Sequence, residues 1–420
     1  MKHYFLCFSI LILFASCNKN TSLNPDGTIQ KLQVLWSINT GDNGTWCDGY
    51  DIHEPVINGD NVLINGVQNQ KQVFRMINSQ NGNEAWVWND FFYPKLYANS
   101  SYTLKFPWLK DNKMIWQTNF ETYNIDLTTG KTIWKNDTHN DLGEGCNGIA
   151  NLFFTSMYSL NEVTLLNGSD LFVGNTSTGK IQFLAHPKYD TTDRKLNTNR
   201  YGVILGTAPF ISGQDTMLLV SFADQPITNY FFRCAFGTYN LSKNQWQIER
   251  SAIGNPTNTG TTFTPIIQNG EVFHCREGHV TCHDIFTGEQ KWDFNVGAAD
   301  FLFSGILIAN GKVFANGSNR VLHCIDIKTG LEIWNETSSS SSSDMGYLNG
   351  VVYFVGGDDG LLHAVDEVTG KTIWKVISPD TKLDHGDFTR FCAVVPGRNG
   401  AKGRIVTHTG YHAVCYEAAK

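Results

Sequence analysis

Ten cysteines and twelve histidines are the residues of this 420-residue chain best suited to chemistry, and their spacing argues against most of it. No Cys-x-x-Cys or Cys-x-x-Cys-His occurs, which excludes a zinc ribbon and covalently attached haem. A Gly-x-Ser-x-Gly elbow, a Walker loop and a His-Glu-x-x-His helix are also missing, which lowers the expectation of a hydrolase. His323, His363 and His412 stand directly before Cys324, Ala364 and Ala413, and we read them as one position of a repeat. Copies of a repeat do not converge, so these imidazoles are expected to fill structural places, and no metal site and no catalytic residue is predicted. Cys282, Cys324, Ala364 and Ala413 are read as sharing a slot for a small apolar side chain. Cys275 and Cys282 flank a hairpin, but their offset across its turn does not place them opposite each other. Export would permit disulfides without demanding them.

The start of the chain carries an address. Met1-Lys2-His3 precedes an apolar run from Tyr4 to Phe14 and then Ala15-Ser16-Cys17. A basic start, an apolar stretch too short to span a bilayer, and small residues before a cysteine describe a secretory signal. Residues 1–16 are therefore read as a lipoprotein signal peptide and Cys17 as the lipid-attachment site. Residues 17–30 follow as a polar tether, and 31–420 form a single domain. Asn18 in place of Asp favours the outer membrane, facing the periplasm or the cell surface. Contact with the membrane is expected through the acyl chains only. Acidic residues number 39 against 32 basic ones, with no Lys/Arg-rich run, so no nucleic-acid partner is expected.

Abundant glycine (39 residues), 13% aromatic and only 17% charged residues suit many short strands joined by tight turns. A repeat sets their order. Its clearest copies run from Asp126 to Trp134, Asp284 to Trp292, Asp326 to Trp334 and Asp366 to Trp374. Weaker copies run from Asn78 to Trp86, Asn175 to Phe183 and Asn240 to Trp246. In each, Asp or Asn begins a turn, in most copies followed by Thr-Gly, and an aromatic residue enters the next strand. Upstream lie Asn58-Gly59, Asn269-Gly270, Asn310-Gly311 and Asn349-Gly350 between apolar runs, the strongest local hairpin signal. Each unit therefore reads as a four-stranded blade. Seven are visible. The segment from Asp384 to Lys420 has strands but no Thr-Gly-x-x-Trp, whereas residues 31–39, with Trp36, look like an outer strand with no blade before it. The expectation is an all-β, eight-bladed propeller of four-stranded antiparallel blades, closed by an N-terminal strand in the last blade.

The pattern Asp-x-x-Thr-Gly-Lys-x-x-Trp resembles the pyrroloquinoline-quinone-like propeller repeat, shared by quinoprotein dehydrogenases and the BamB-like lipoproteins of outer-membrane protein assembly. The resemblance covers nearly all of residues 31–420. It implies that Trp36, Trp86, Trp134, Trp246, Trp292, Trp334 and Trp374 dock neighbouring blades, and so report fold. A quinoprotein dehydrogenase would, by the same resemblance, need a calcium site of carboxylates and amides, an Asp base and commonly a disulfide between adjacent cysteines. No two cysteines are adjacent and no carboxylate matches the base. The BamB-like branch is therefore the nearer one. No cofactor is predicted, and the quinone with calcium is the alternative.

Links from each blade's outer strand to the next blade's inner strand emerge on one face around the central funnel. They carry Trp46, Asp48, Tyr50, His53, Phe92, Tyr93, Tyr97, His139, Asp141, Glu144, Asp384 and His385. Loops on a rigid scaffold concentrate binding residues, and aromatic side chains anchor partners. The expected function is a noncatalytic scaffold that binds an envelope protein or extended peptide there. Enzymatic use of the funnel or glycan binding by the rim are the alternatives. The Ser338 to Ser343 run reads as a flexible connector.

Overall fold

A computed structural model describes residues 29–41, 55–69, 71–91, 108–117, 121–136, 146–150, 157–164, 168–189, 202–224, 233–253, 265–276, 278–297, 305–340, 343–383, 386–398 and 400–420. The described residues form β-strands joined by turns. None of them forms a helix long and apolar enough to cross a membrane. The first sheet runs from its inner strand Val56–Asn58 through Asn61–Gln68 and Lys71–Asn78 to its outer strand Glu84–Trp88. The second ends on Thr132–Asn136, the third on Ile181–Ala185, the fourth on Gln245–Ala252, the fifth on Gln290–Asn295 and the sixth on Glu332–Thr337. These, together with the last sheet, are four-stranded and antiparallel, the blade of a β-propeller.

Closure uses the start of the chain. Trp36–Asn39 pairs antiparallel with His412–Glu417, Trp36 facing Cys415, and so supplies the outer strand of the last sheet. The sheet before it departs from the uniform four-stranded expectation. Ile29–Gln30 lies parallel to its outer strand Thr372–Val376, Ile29 opposite Lys375, and makes five strands. Residues read from the sequence as the end of a tether are therefore paired.

Turn chemistry explains why the units recur. Asp126 accepts hydrogen bonds on Oδ1 from the amides of Thr128 (2.9 Å) and Thr129 (2.8 Å), while the Gly130 amide donates to the Asp126 carbonyl. Asp284, Asp326 and Asp366 repeat the arrangement. The side chain thus closes a turn that only a left-handed residue can complete, and Gly130 sits there at φ +67°. At the inner hairpins Asn269, Asn310 and Asn349 adopt positive φ with the glycine that follows each. Both central residues of a type I′ turn need that conformation.

Buried apolar residues interdigitate between consecutive sheets. Phe74 and Met76 of the first pack with Met114, Trp116 and Tyr123 of the second. Across the closing junction Trp36, Ala413 and Cys415 pack with Val62, Ile64 and Ile77.

Indole rings complete these junctions in a repeated way. Trp36 donates Nε1–H to the Ser79 carbonyl, Trp86 to Leu127, Trp134 to Thr176, Trp292 to Ile327 and Trp334 to Glu367, at 2.7–3.1 Å. Each ring lies flat on the turn glycine of the next sheet. A Cβ on Gly330 would stand 2.7 Å from the Trp292 ring, and Gly82, Gly130, Gly179 and Gly370 face Trp36, Trp86, Trp134 and Trp334 in the same manner.

Trp246 corrects the expected set. Its ring meets Tyr239 of its own sheet in an edge arrangement at 5.1 Å, lies over Gly237 and packs on a cluster shared with the third sheet. Gly288 of the fifth sheet instead meets Ser251, whose hydroxyl donates to the Gly288 carbonyl at 2.7 Å. The shortened turn Asn240 to Trp246 lacks the turn glycine, and register shifts on either side of Thr238 move the contact five residues along the strand. Phe183 of the third sheet is 49% exposed and docks on no glycine. Trp374 has no turn glycine ahead of it and is buried in a cluster with Tyr416 and Ala418.

Candidate functional site

Alternation of strand direction brings two kinds of connection to one face: the links between sheets, and the hairpin loops between each sheet's second and third strands. Between the sixth and last sheets this face is well defined. The loop Gly356–Gly360 carries Asp358 and Asp359. Asp358 pairs with Arg320 of the sixth sheet at 2.6 Å and accepts the Ser340 amide. Asp359 sits 3.1 Å from His363 Nε2 and accepts the Leu361 amide. Burial pushes the Asp359 carboxyl up, but the His363 hydrogen bond and charge, the Leu361 amide and the Ser339 hydroxyl outweigh it and hold it below the usual range. In the next link Asp380 accepts hydrogen bonds from Thr409 Oγ1 (2.5 Å) and His412 Nδ1 (2.8 Å). Gly360 is pressed against Asp387, its Cβ position 3.0 Å from that of the aspartate.

The serine run is part of this face, and its expected flexibility needs correction. Ser339 Oγ accepts the amides of Asp358 and Asp359, Ser343 Oγ accepts the Val355 amide at 2.7 Å, and both serines are buried. A hydroxyl accepting backbone hydrogen bonds fixes the link on the Gly356–Gly360 loop. The run Gly-Gly-Asp-Asp-Gly between two apolar strands was the available signal for that loop, and composition alone had read the serines as a linker.

Five of the described histidines each pair with one carboxylate. His323 meets Glu332 at 2.7 Å, His363 meets Asp359, His412 meets Asp380, His279 meets Asp293, and His186 meets Asp170. Register corrects one expected equivalence. Cys282, Cys324 and Ala364 face Trp292, Trp334 and Trp374, and in the last sheet Cys415, not Ala413, faces Trp36. His412 therefore lies two residues before the place of His323 and His363, a slip that a strand's two-residue period conceals. Burial pushes the thiols of Cys282, Cys324 and Cys415 up to about 12, as befits small apolar fillers. Cys275 and Cys282 are not joined by a disulfide and lie opposite Val280 and Phe273.

All twelve funnel-face candidates lie outside the described residues: Trp46, Asp48, Tyr50, His53, Phe92, Tyr93, Tyr97, His139, Asp141, Glu144, Asp384 and His385. So does Cys17. Their links depart from described strand ends, and the funnel-face residues the structure does position are Arg320, Ser339, Asp358, Asp359, Asp380 and His412. Asp358, Asp359 and Asp380 are each committed to a cation, a histidine or a hydroxyl, and no group of three His, Cys, Asp or Glu among the described residues could hold a metal ion.

Strand order and pairing together define a β-propeller of four-stranded antiparallel blades. Residues 237–386 match the family described as outer membrane protein assembly factor BamB. A curated relative of that name from Moranella endobia (strain PCIT) is 26% identical over 104 residues, 24% of this chain. The chain thus spans about a quarter of that relative's length, 26%. Among solved structures, the quinohemoprotein alcohol dehydrogenase from Comamonas testosteroni is similar over 92% of this chain and 76% of its own, with 12% identity and a TM-score of 0.62. A computationally designed protein is similar over 90% of this chain and 99% of its own, with 11% identity and a TM-score of 0.57. A natural enzyme and a designed protein share the architecture, so the likeness speaks for fold alone.

Proposed function

We propose that this chain is a noncatalytic, lipid-anchored scaffold of the bacterial envelope, whose funnel face holds a protein or extended peptide during outer-membrane protein assembly. The match of residues 237–386 to the BamB family carries the reading. The ordered part of the funnel face supports it: the Ser339 link, the Gly356–Gly360 loop and the Asp380 link are fixed by hydrogen bonds to backbone and side chains, a firm support for binding loops. In this proposal the propeller is a ring of eight blades. Cys17 carries the acyl chains, and Trp46, Tyr50, Phe92, Tyr93 and Tyr97 supply the aromatic anchors.

Affinity capture from detergent-solubilised membranes tests it. The intact chain should recover an envelope protein, and the combined substitution of Phe92, Tyr93 and Tyr97 by alanine should abolish recovery while leaving the circular dichroism spectrum unchanged. Cys17→Ser should move the chain from the membrane to the soluble fraction. Capture of no envelope protein, together with saturable binding of quinone and calcium by calorimetry, would overturn the proposal.

A further inference from the structure

Exposed apolar side chains gather at one end of four consecutive sheets. The turns between third and fourth strands, which begin with Asp or Asn, lie on the face opposite the funnel. In the first three sheets the third and sixth residues of these turns are polar: Gln80 and Asn83, Thr128 and Lys131, Ser177 and Lys180. In the fifth, sixth and seventh sheets the same places include Phe286, Leu331 and Val368. At that end of the fourth sheet Ile211 stands one pair before the hairpin turn, and Phe210 lies 6.3 Å from Phe286, ring centre to ring centre, across the junction. Ile211, Phe286, Leu331 and Val368 are 48–69% exposed.

The start of the chain points to the same end. Ile29–Gln30 runs parallel to Thr372–Val376, a strand that leaves the Gly370 turn and rises toward the funnel face. The chain therefore enters the fold from the turn side, at the edge of the sheet that carries Val368. Residues 18–28 separate Cys17 from Ile29 and can span at most roughly 40 Å.

We propose that this turn face rests on a lipid bilayer, with Ile211, Phe286, Leu331 and Val368 dipping into the headgroup boundary, so that the funnel face is turned away from the membrane. This placement rests on the lipid-anchored reading of Cys17 and adds to it a second membrane contact, as stable anchoring commonly requires. Exposed apolar patches mark interaction surfaces. Turns at one end of a ring lie near one plane, so side chains on four sheets meet a flat lipid surface at once, a geometry less suited to an extended peptide.

Hydroxyl-radical footprinting read by mass spectrometry tests it, comparing the intact lipidated chain in vesicles of phosphatidylethanolamine and phosphatidylglycerol with the Cys17→Ser chain in solution. Ile133 and Phe183 are similarly exposed but sit on outer strands at the rim, and serve as the internal reference. Anchoring should lower oxidation of the four turn-face residues severalfold against that reference. A variant combining Phe286→Thr, Leu331→Lys and Val368→Thr carries the residue types of the second sheet's turn and should return Ile211 to the reference level, with an unchanged circular dichroism spectrum. Oxidation of all four at the reference level in chain recovered with the vesicles would overturn this placement alone. Recovery of the chain outside the vesicles would overturn the anchored reading along with it. Equal protection in the soluble Cys17→Ser chain would mean that another copy covers the face, and would also overturn the placement.

Discussion

The junction between the fifth and sixth sheets and the junctions on either side of the fourth solve one packing problem in different ways. In the former, Trp292 lies on Gly330, donates to the Ile327 carbonyl, and buries its faces against Phe273 and the next sheet. Around the fourth sheet no indole among the described residues is seated on a turn glycine of the next sheet. The link after the third sheet folds over instead, Leu184 and Tyr189 joining the cluster of Leu218, Val220 and Phe222 and Lys188 pairing with Glu249. On the other side Phe236 stacks on the buried His274, and Ser251 takes the place of an indole. A single large ring concentrates docking energy in one residue and one glycine. The alternative spreads it over many smaller contacts and tolerates buried polar groups.

Substitutions should separate these two modes, and the largest effect belongs to the concentrated one. Trp292→Ala removes an indole and its hydrogen bond and should cost about 3 kcal/mol in urea denaturation, at the low end for large aromatic truncations because the ring is half-buried. Trp246→Ala, whose ring lies on Tyr239 and Gly237 of its own sheet and at the margin of a cluster shared with the third, should cost less, and equal costs would break the comparison. Gly330→Ala forces a Cβ into the Trp292 ring at positive φ and should cost about 2 kcal/mol by the same measurement.

The distributed junction should show itself through pH. Burial, and then the neighbouring His283, hold His274 well below the usual imidazole range. The unfolded chain therefore takes up this proton first. Stability should be intact above neutrality and fall as pH drops below about 6.5, approaching 1.4 kcal/mol per pH unit. His274→Phe should flatten that slope between pH 6.5 and 5. Smaller still is the ion pair of Lys420 with Asp366, whose partly exposed setting limits it to less than about 1 kcal/mol. Burial pushes Asp366 up, but hydrogen bonds from Lys420, Thr369 and Val368 prevail and hold it at about 2. This contribution is present above the ordinary carboxylate range and is lost as pH falls from about 4 toward 2. Lys420→Ala should therefore narrow the difference between melting temperatures at pH 6 and pH 3. The smallest change is Phe183→Ala. Half-exposed and docked on no glycine, that residue should cost under about 0.5 kcal/mol.

What the sequence made legible follows the same division. Where turn and indole recur at a fixed spacing, as from Asp284 to Trp374, strands, turns and docking partners could all be read in advance, because local chemistry and packing demand the same residues. Trp246 misled because the shifted register of its strand brings Ser251, not the indole, to Gly288 of the next sheet, and only pairing shows which way the ring points. The two-residue slip at His412 left every side chain on its proper face and so gave no hydrophobic signal. Ile29–Gln30 is too short for periodicity to register. The candidate site was legible least of all. Its links carry no repeat, and the interactions that fix Ser339 and Asp359 join positions about 20 residues apart in different connections.

Pairing of Trp36–Asn39 with His412–Glu417 also sets an order in time. Thr40 and Tyr411, hydrogen bonded to each other, are 371 residues apart in the chain, so a strand made early waits for one made much later. Until that partner strand is made, the growing chain holds Trp36 and the inner face of the first sheet uncovered, an apolar edge open to wrong pairing. Its folding rate should be governed by that one long-range encounter and not by the local hairpins.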